Sequence, residues 1–152
     1  MKATSFADMR CSIARTLEHV GSWWSLLIIR DAMMGARRFG QFQKSLGIAK
    51  ATLTARLNEL VEGGILQKVP ARNGSAHEEY QLTNKGRDLA PVMMARAQWG
   101  DQWAEHPRGR SFAFVDQDTE QEITRLLPRR EDGSEIPFTE IRLKPAKEEI
   151  SR

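Results

Sequence analysis

Cysteine is almost absent from this sequence. Cys11 is the only one in 152 residues, so no disulfide can form within the chain, and a single thiol fits a reducing compartment. Long apolar runs are missing too. The strongest, Trp23 to Ile29, is stopped by Arg30 and Asp31, well short of the roughly 18 residues of a membrane span. The first residues lack the charged head, apolar run and small-residue cleavage site of a secretory leader. The expectation is a cytoplasmic chain with no membrane partner. Histidine is scarce: His19, His77 and His106 are scattered, and no Cys/His/Asp spacing suits a metal ion. No metal and no cofactor are expected. A thiol enzyme would need a base beside Cys11. His19 lies eight residues on, roughly 12 Å of helical rise, too far for a dyad. No catalytic residue is expected, and the chain reads as a non-enzyme.

What the sequence does hold is a charge asymmetry. The net charge is +3. Residues 1–110 carry 16 Lys and Arg against 10 Asp and Glu, whereas residues 111–152 carry 7 against 10. Residues 36–75 concentrate seven basic side chains (Arg37, Arg38, Lys44, Lys50, Arg56, Lys68, Arg72) against Glu59 and Glu62. A local basic block on a modestly charged chain points to a polyanion; alone it fits a solvated surface equally well.

The apolar pattern gives a mainly α fold with a little β. Ile13, Leu17 and Val20 recur on one helical face over 12–20. Residues 23–34 are apolar almost all round, as in the central helix of a bundle, and Gly35 ends them. A short helix is expected over 38–46, with Phe39, Phe42 and Leu46 on one face, followed by a turn at Gly47. Leu53, Leu57, Leu60 and Val61 make the stripe of a helix over 49–62, closed by Gly63-Gly64. The period then changes to strands over 65–69 and 78–82 around a hairpin tip, Pro70 to Ala76. Thr83 can cap a long helix over 84–104, whose stripe is Leu89, Val92, Met93, Arg96, Trp99 and Trp103. Beyond it, strands over 111–115, 122–127 and 140–143 suggest a small acidic β-meander, and 145–152 a frayed tail. The domain reading is 1–106 for the helical unit and 107–152 for the extension.

Helix, helix, short helix, glycine turn, helix, hairpin and long helix is the order of a winged helix-turn-helix. A helix that enters the major groove must be apolar behind and polar or short-chained in front. Residues 49–62 meet both needs. Small residues Ala51, Thr52 and Ala55 let the backbone approach the bases; Lys50, Thr54 and Arg56 can reach base edges or phosphates. The wing, 69–77, carries Arg72 at its tip, able to grip the backbone or enter the minor groove. The candidate DNA-binding residues are therefore Arg37, Arg38, Lys50, Thr52, Thr54, Arg56, Lys68 and Arg72, with double-stranded DNA as the partner. Arg37, Lys68 and Arg72 suit phosphates; Lys50 and Arg56 suit bases. A winged-helix module offering this basic face to an acidic protein is the alternative.

Cys11-Ser-Ile-Ala-Arg-Thr-Leu17, Trp24 to Asp31 (WSLLIIRD), Arg37-Arg38-Phe39, Gly47-Ile48, Leu53-Thr54-Ala55-Arg56-Leu57, Gly63-Gly64-Ile65-Leu66, Glu79 to Thr83 (EYQLT) and Lys85-Gly86 together resemble the HxlR-type transcriptional regulators, over about residues 11–104. The resemblance implies a homodimeric winged-helix regulator whose first and last helices pair the subunits. On that reading Ile13, Leu17, Trp99 and Trp103 form the dimer interface, with intrachain core the alternative for the two tryptophans at i, i+4, and the helix over 49–62 enters the major groove of an inverted-repeat operator as repressor or dual regulator. Some members sense oxidants or electrophiles through a cysteine at the position of Cys11. Arg10, Arg15 and a helix N-terminus beside that thiol would favour its thiolate.

Overall fold

A computed structural model describes residues 5–145; all of the expected frayed tail except Pro145 lies outside them. By packing the chain forms two compact units, residues 1–93 and 94–152.

In the first unit, α1 (Ser12–Val20), α2 (Trp23–Met33), α3 (Phe39–Leu46) and α4 (Lys50–Glu62) precede a two-stranded antiparallel sheet, β1 (Leu66–Pro70) and β2 (Glu78–Leu82). The four-residue α5 (Asn84–Arg87) follows. The core is made where the apolar stripes meet: Ile28 and Ile29 of α2, Phe42 of α3, Leu53, Leu57 and Leu60 of α4, and Leu66 of β1 are all fully buried. Each stabilises the fold by about 1.5–3 kcal/mol through burial. Trp24 and Phe39 pack against this cluster, as do Leu89 and Met93. The stripe expected on α1 divides: Val20 is buried, whereas Ile13 and Leu17 face outward.

Two backbone devices fix α4 and the wing. Gly64, at φ +69°, occupies the left-handed region open to glycine, and lets Ile65 N–H reach Leu60 O at 2.9 Å and Gly64 N–H reach Val61 O at 3.0 Å. This closes α4 with a Schellman motif and turns the chain into β1. Thr83 Oγ1 accepts from Gly86 N–H at 3.1 Å and donates to Gly64 O at 2.6 Å. The expected cap is thus also a tie between the start of α5 and the end of α4.

The continuous helix expected over 84–104 is broken. α5 ends at Arg87, residues 88–89 turn, and α6 runs Ala90–Trp103. Pro91 is the reason: it has no N–H to offer the carbonyl of residue 87 and its ring obstructs that carbonyl, so it is tolerated only in a first turn.

The division between the units falls within α6. In the second unit the expected β-meander is reduced to isolated bridges, Val115 with Glu122 and Arg129 with Glu135. The strand expected over 140–143 is absent; a 3-10 turn occupies Phe138–Glu140. Turn chemistry takes precedence there. Asp116 Oδ1 accepts from Asp118 N–H, Thr119 N–H and Thr119 Oγ1, and these bonds hold its carboxyl below the usual aspartate range. Pro128 and Pro137 remove ladder donors. The extension is instead tied by ion pairs, Arg110 with Glu122, Arg129 with Glu135 and Arg130 with Glu140, and the Arg110 pair lowers the Glu122 pKa.

Candidate nucleic-acid interface

α3, the turn at Gly47 (φ +60°) and α4 make a helix-turn-helix, with the β1–β2 hairpin beside it. α3 is started by Gln41, whose Oε1 accepts from both Arg37 N–H and Arg38 N–H at 2.8 Å. Its Phe42 meets Tyr80 of β2 edge to face, centroids 6.3 Å apart. Tyr80 N–H also donates to Arg37 O at 2.7 Å. The wing is therefore fastened to α3 and the residues before it by a ring contact and a backbone bond, to which Glu79 adds an ion pair.

α4 turns Leu53, Leu57 and Leu60 inward and leaves Lys50, Ala51, Thr54, Ala55 and Asn58 exposed, with Thr52 and Arg56 half-buried. Its N-cap is Ala49, in extended conformation with no side-chain cap. Thr54 Oγ1 donates back to Lys50 O at 2.9 Å, which leaves its methyl and oxygen lone pairs for a ligand. At the wing, Ala71 N–H donates to His77 O, and Gly74, at φ +70°, donates to Ala71 O. These bonds close a compact tip that presents Arg72 to solvent.

The eight basic and hydroxyl residues expected to contact DNA are brought to this helix, its partner and the wing, but in different states. Lys50 and Arg72 are exposed, and no ion pair engages them among the described residues. Arg56 is held by Glu59 one turn along α4, at 2.6 Å. Lys68 pairs with Glu78 across the hairpin at 3.4 Å. Arg37 and Arg38 both face Glu79: Arg38 Nε donates to Oε1 at 3.2 Å, and Arg37 Nη1 lies 3.8 Å from Oε2.

Glu79 is the residue that the sequence reading missed. Its side chain is only 5% exposed, in a strand where Glu78 is solvated. Alternation places Glu79 with Gln81 on the strand face opposite Tyr80 and Leu82, which pack in the core. Its burial comes from the 37–38 segment, which lies along β2 through the Tyr80 N–H to Arg37 O bond and brings both arginines to the carboxylate. No local pattern marks it, because its burial depends on a segment whose Arg38 lies 41 residues away in sequence.

Cys11 is exposed and serves as N-cap of α1 without a side-chain cap bond. Arg15 is directed to Met9 O and Ser12 Oγ. The four residues expected at a dimer interface are all exposed: Ile13 and Leu17 on α1, Trp99 (64%) and Trp103 (67%) on α6. Among the described residues no group of acidic, His and Cys side chains could hold a metal ion, and no helix is long and apolar enough to cross a membrane.

The comparisons agree with this geometry. Rv3095 of Mycobacterium tuberculosis, named an uncharacterized HTH-type transcriptional regulator, is 46% identical over 98 residues, 64% of this chain. The match spans 62% of that relative's length. PA1607, a transcription factor candidate of known crystal structure, is 45% identical with a TM-score of 0.83, covering 94% of this chain and all of that one. The redox regulator HypR in its reduced form is 26% identical, with a TM-score of 0.55 over 60% of this chain and 92% of its own. The HxlR-like helix-turn-helix family matches residues 19–108, more than half of the sequence, and this chain belongs to that family.

Proposed function

We propose that this chain is a DNA-binding transcriptional regulator. On this reading it binds an inverted repeat as a homodimer, with α4 in the major groove and the wing on the phosphate backbone or in the minor groove. The observation that carries the reading is the pairing of Lys50 on α4 with Arg72 at the wing tip, both exposed and free of ion pairs among the described residues. Cations left solvated on a helix with small neighbours, and on the loop beside it, suit a phosphate backbone and a groove. Arg37, Arg38, Arg56 and Lys68 would join them by exchanging a carboxylate for a phosphate or base. The exposed Ile13, Leu17, Trp99 and Trp103 supply apolar surface for pairing two subunits.

The test is fluorescence anisotropy on a labelled duplex at several salt concentrations. Arg72→Ala should weaken binding to every sequence and lower the salt slope by about one unit. Lys50→Ala should alter affinity or sequence preference as well. An unchanged slope in the first and unchanged affinity and preference in the second would refute the placement. An acidic protein that competes where duplex DNA does not would favour the interaction-module alternative.

A finer reading concerns Cys11. Its exposure at the start of α1, together with the redox regulator among the structural relatives, supports a response to a small oxidant or electrophile. A thiol alkylated no faster than a free cysteine, or an adduct that leaves operator binding intact, would refute it.

A further inference from the structure

The second unit contains a cavity of about 610 Å³, inside the usual range for small-molecule sites. Trp99 and Trp103 of α6 form one side; Leu126, Pro128, Phe138 and Ile141 form much of the other. Its single charged lining residue is Arg125. That guanidinium stands over the Phe138 ring, 5.0 Å from the centroid. It makes no ion pair among the described residues, although Arg110, Arg129 and Arg130 nearby in sequence all do. Asp101 and Glu122, which share a neighbouring depression with Arg125, are held by Arg110. The wall is pinned in place: Gln98 donates to Thr124 O at 3.3 Å and accepts from Leu126 N–H at 2.9 Å.

We propose that this cavity binds a small, flat aromatic anion, with its rings among Trp99, Trp103 and Phe138 and its anionic group on Arg125. Three aromatic walls favour a planar apolar body, since rings stack or meet edge to face at low entropic cost. A lone cation in an otherwise uncharged lining selects the sign of the ligand's charge. A guanidinium over a ring face keeps its charge and still offers N–H donors at its edge, a geometry suited to a carboxylate or sulfonate. Site and walls lie within residues 94–152, so binding does not depend on the reading of α4. Trp99 and Trp103 also belong to the proposed subunit-pairing surface, and adjustment of pairing through α6 by a ligand here therefore rests on the homodimer reading.

Two probes share a skeleton and differ in charge: 1-anilinonaphthalene-8-sulfonate and neutral N-phenyl-1-naphthylamine. Titration of the full chain without DNA, by fluorescence and calorimetry, should show one saturable site per chain that prefers the sulfonate. Arg125→Gln should weaken the sulfonate about tenfold and leave the neutral amine unchanged. Phe138→Ala should weaken both, with the far-ultraviolet circular dichroism of each variant retained. Equal affinity for the two probes, or no effect of Arg125→Gln, would overturn the anion site. No saturable binding to a chain that sediments as a dimer would also overturn it, and would assign the cavity to a second copy. Neither result bears on DNA binding, which is measured separately.

Discussion

Neutralising Glu79 isolates one buried carboxylate between the wing and α3. Glu79→Gln keeps the shape and one acceptor oxygen for Arg38 Nε, now 3.2 Å away, and removes the negative charge that Arg37 and Arg38 share. Removing one partner of a fully buried pair costs about 3–5 kcal/mol. Here Arg38 is half exposed and Arg37 lies beyond hydrogen-bond reach at 3.8 Å, so solvent recovers much of that loss. What remains is one charge-assisted hydrogen bond reduced to a neutral one, about 1–2 kcal/mol. For a cooperative unit of some 93 residues, that lowers Tm by about 5–10 °C. Thermal melts followed at 222 nm give the number, and a cycle with Arg38→Gln isolates the pair. A coupling of about 1 kcal/mol is expected between the two side chains. Melting within about 1 °C of the parent, or effects that add within about 0.3 kcal/mol, would refute it.

Ala49→Ser should supply the missing N-cap of α4 by accepting from Thr52 N–H. The expected gain is about 1 kcal/mol, read as a higher denaturation midpoint in urea; no gain would mean the start of α4 is not the conformation described. Gly86→Ala should destabilise the first unit by about 2 kcal/mol or more, because its Cβ would lie 2.3 Å from Ile65 O and 2.9 Å from Leu82 Cδ2. A variant as stable as the parent would refute the close approach of α5 to Ile65 and Leu82.

The helical part of the fold was legible because its apolar residues fall at helical spacing between glycine stops. The expected 49–62 and the observed Lys50–Glu62 differ by one residue. Thr83 was legible as a cap for the same kind of local reason. The stripe from Leu89 to Trp103 suggests one continuous helix, but Pro91 lies within it and the helix breaks where the proline forbids its bond. The strands of the extension misled because Ser111 to Val115 and Glu122 to Leu127 have β-favouring residues that meet only at the bridge of Val115 with Glu122. Side-chain bonds from Asp116, and prolines 128 and 137, decide that backbone instead. In the candidate site, Lys50 and Arg72 could be picked out from helix phase and turn chemistry. The i,i+3 pair of Arg56 with Glu59 follows from the same helix phase. The pairing of Lys68, Arg37 and Arg38 with Glu78 and Glu79 does not, because it depends on hairpin register and on rotamers across elements. Ile13 and Leu17 show the same limit: periodicity finds an apolar face, but only packing shows that it faces outward.

Selection of duplexes from a random library on the full chain, followed by the mass of the selected complex, tests the central claim most directly. The expected product is an inverted repeat with half-sites about one helical turn apart, or a multiple of it, bound by two chains. Recovery of no enriched sequence, or of a single half-site bound by one chain, would contradict it.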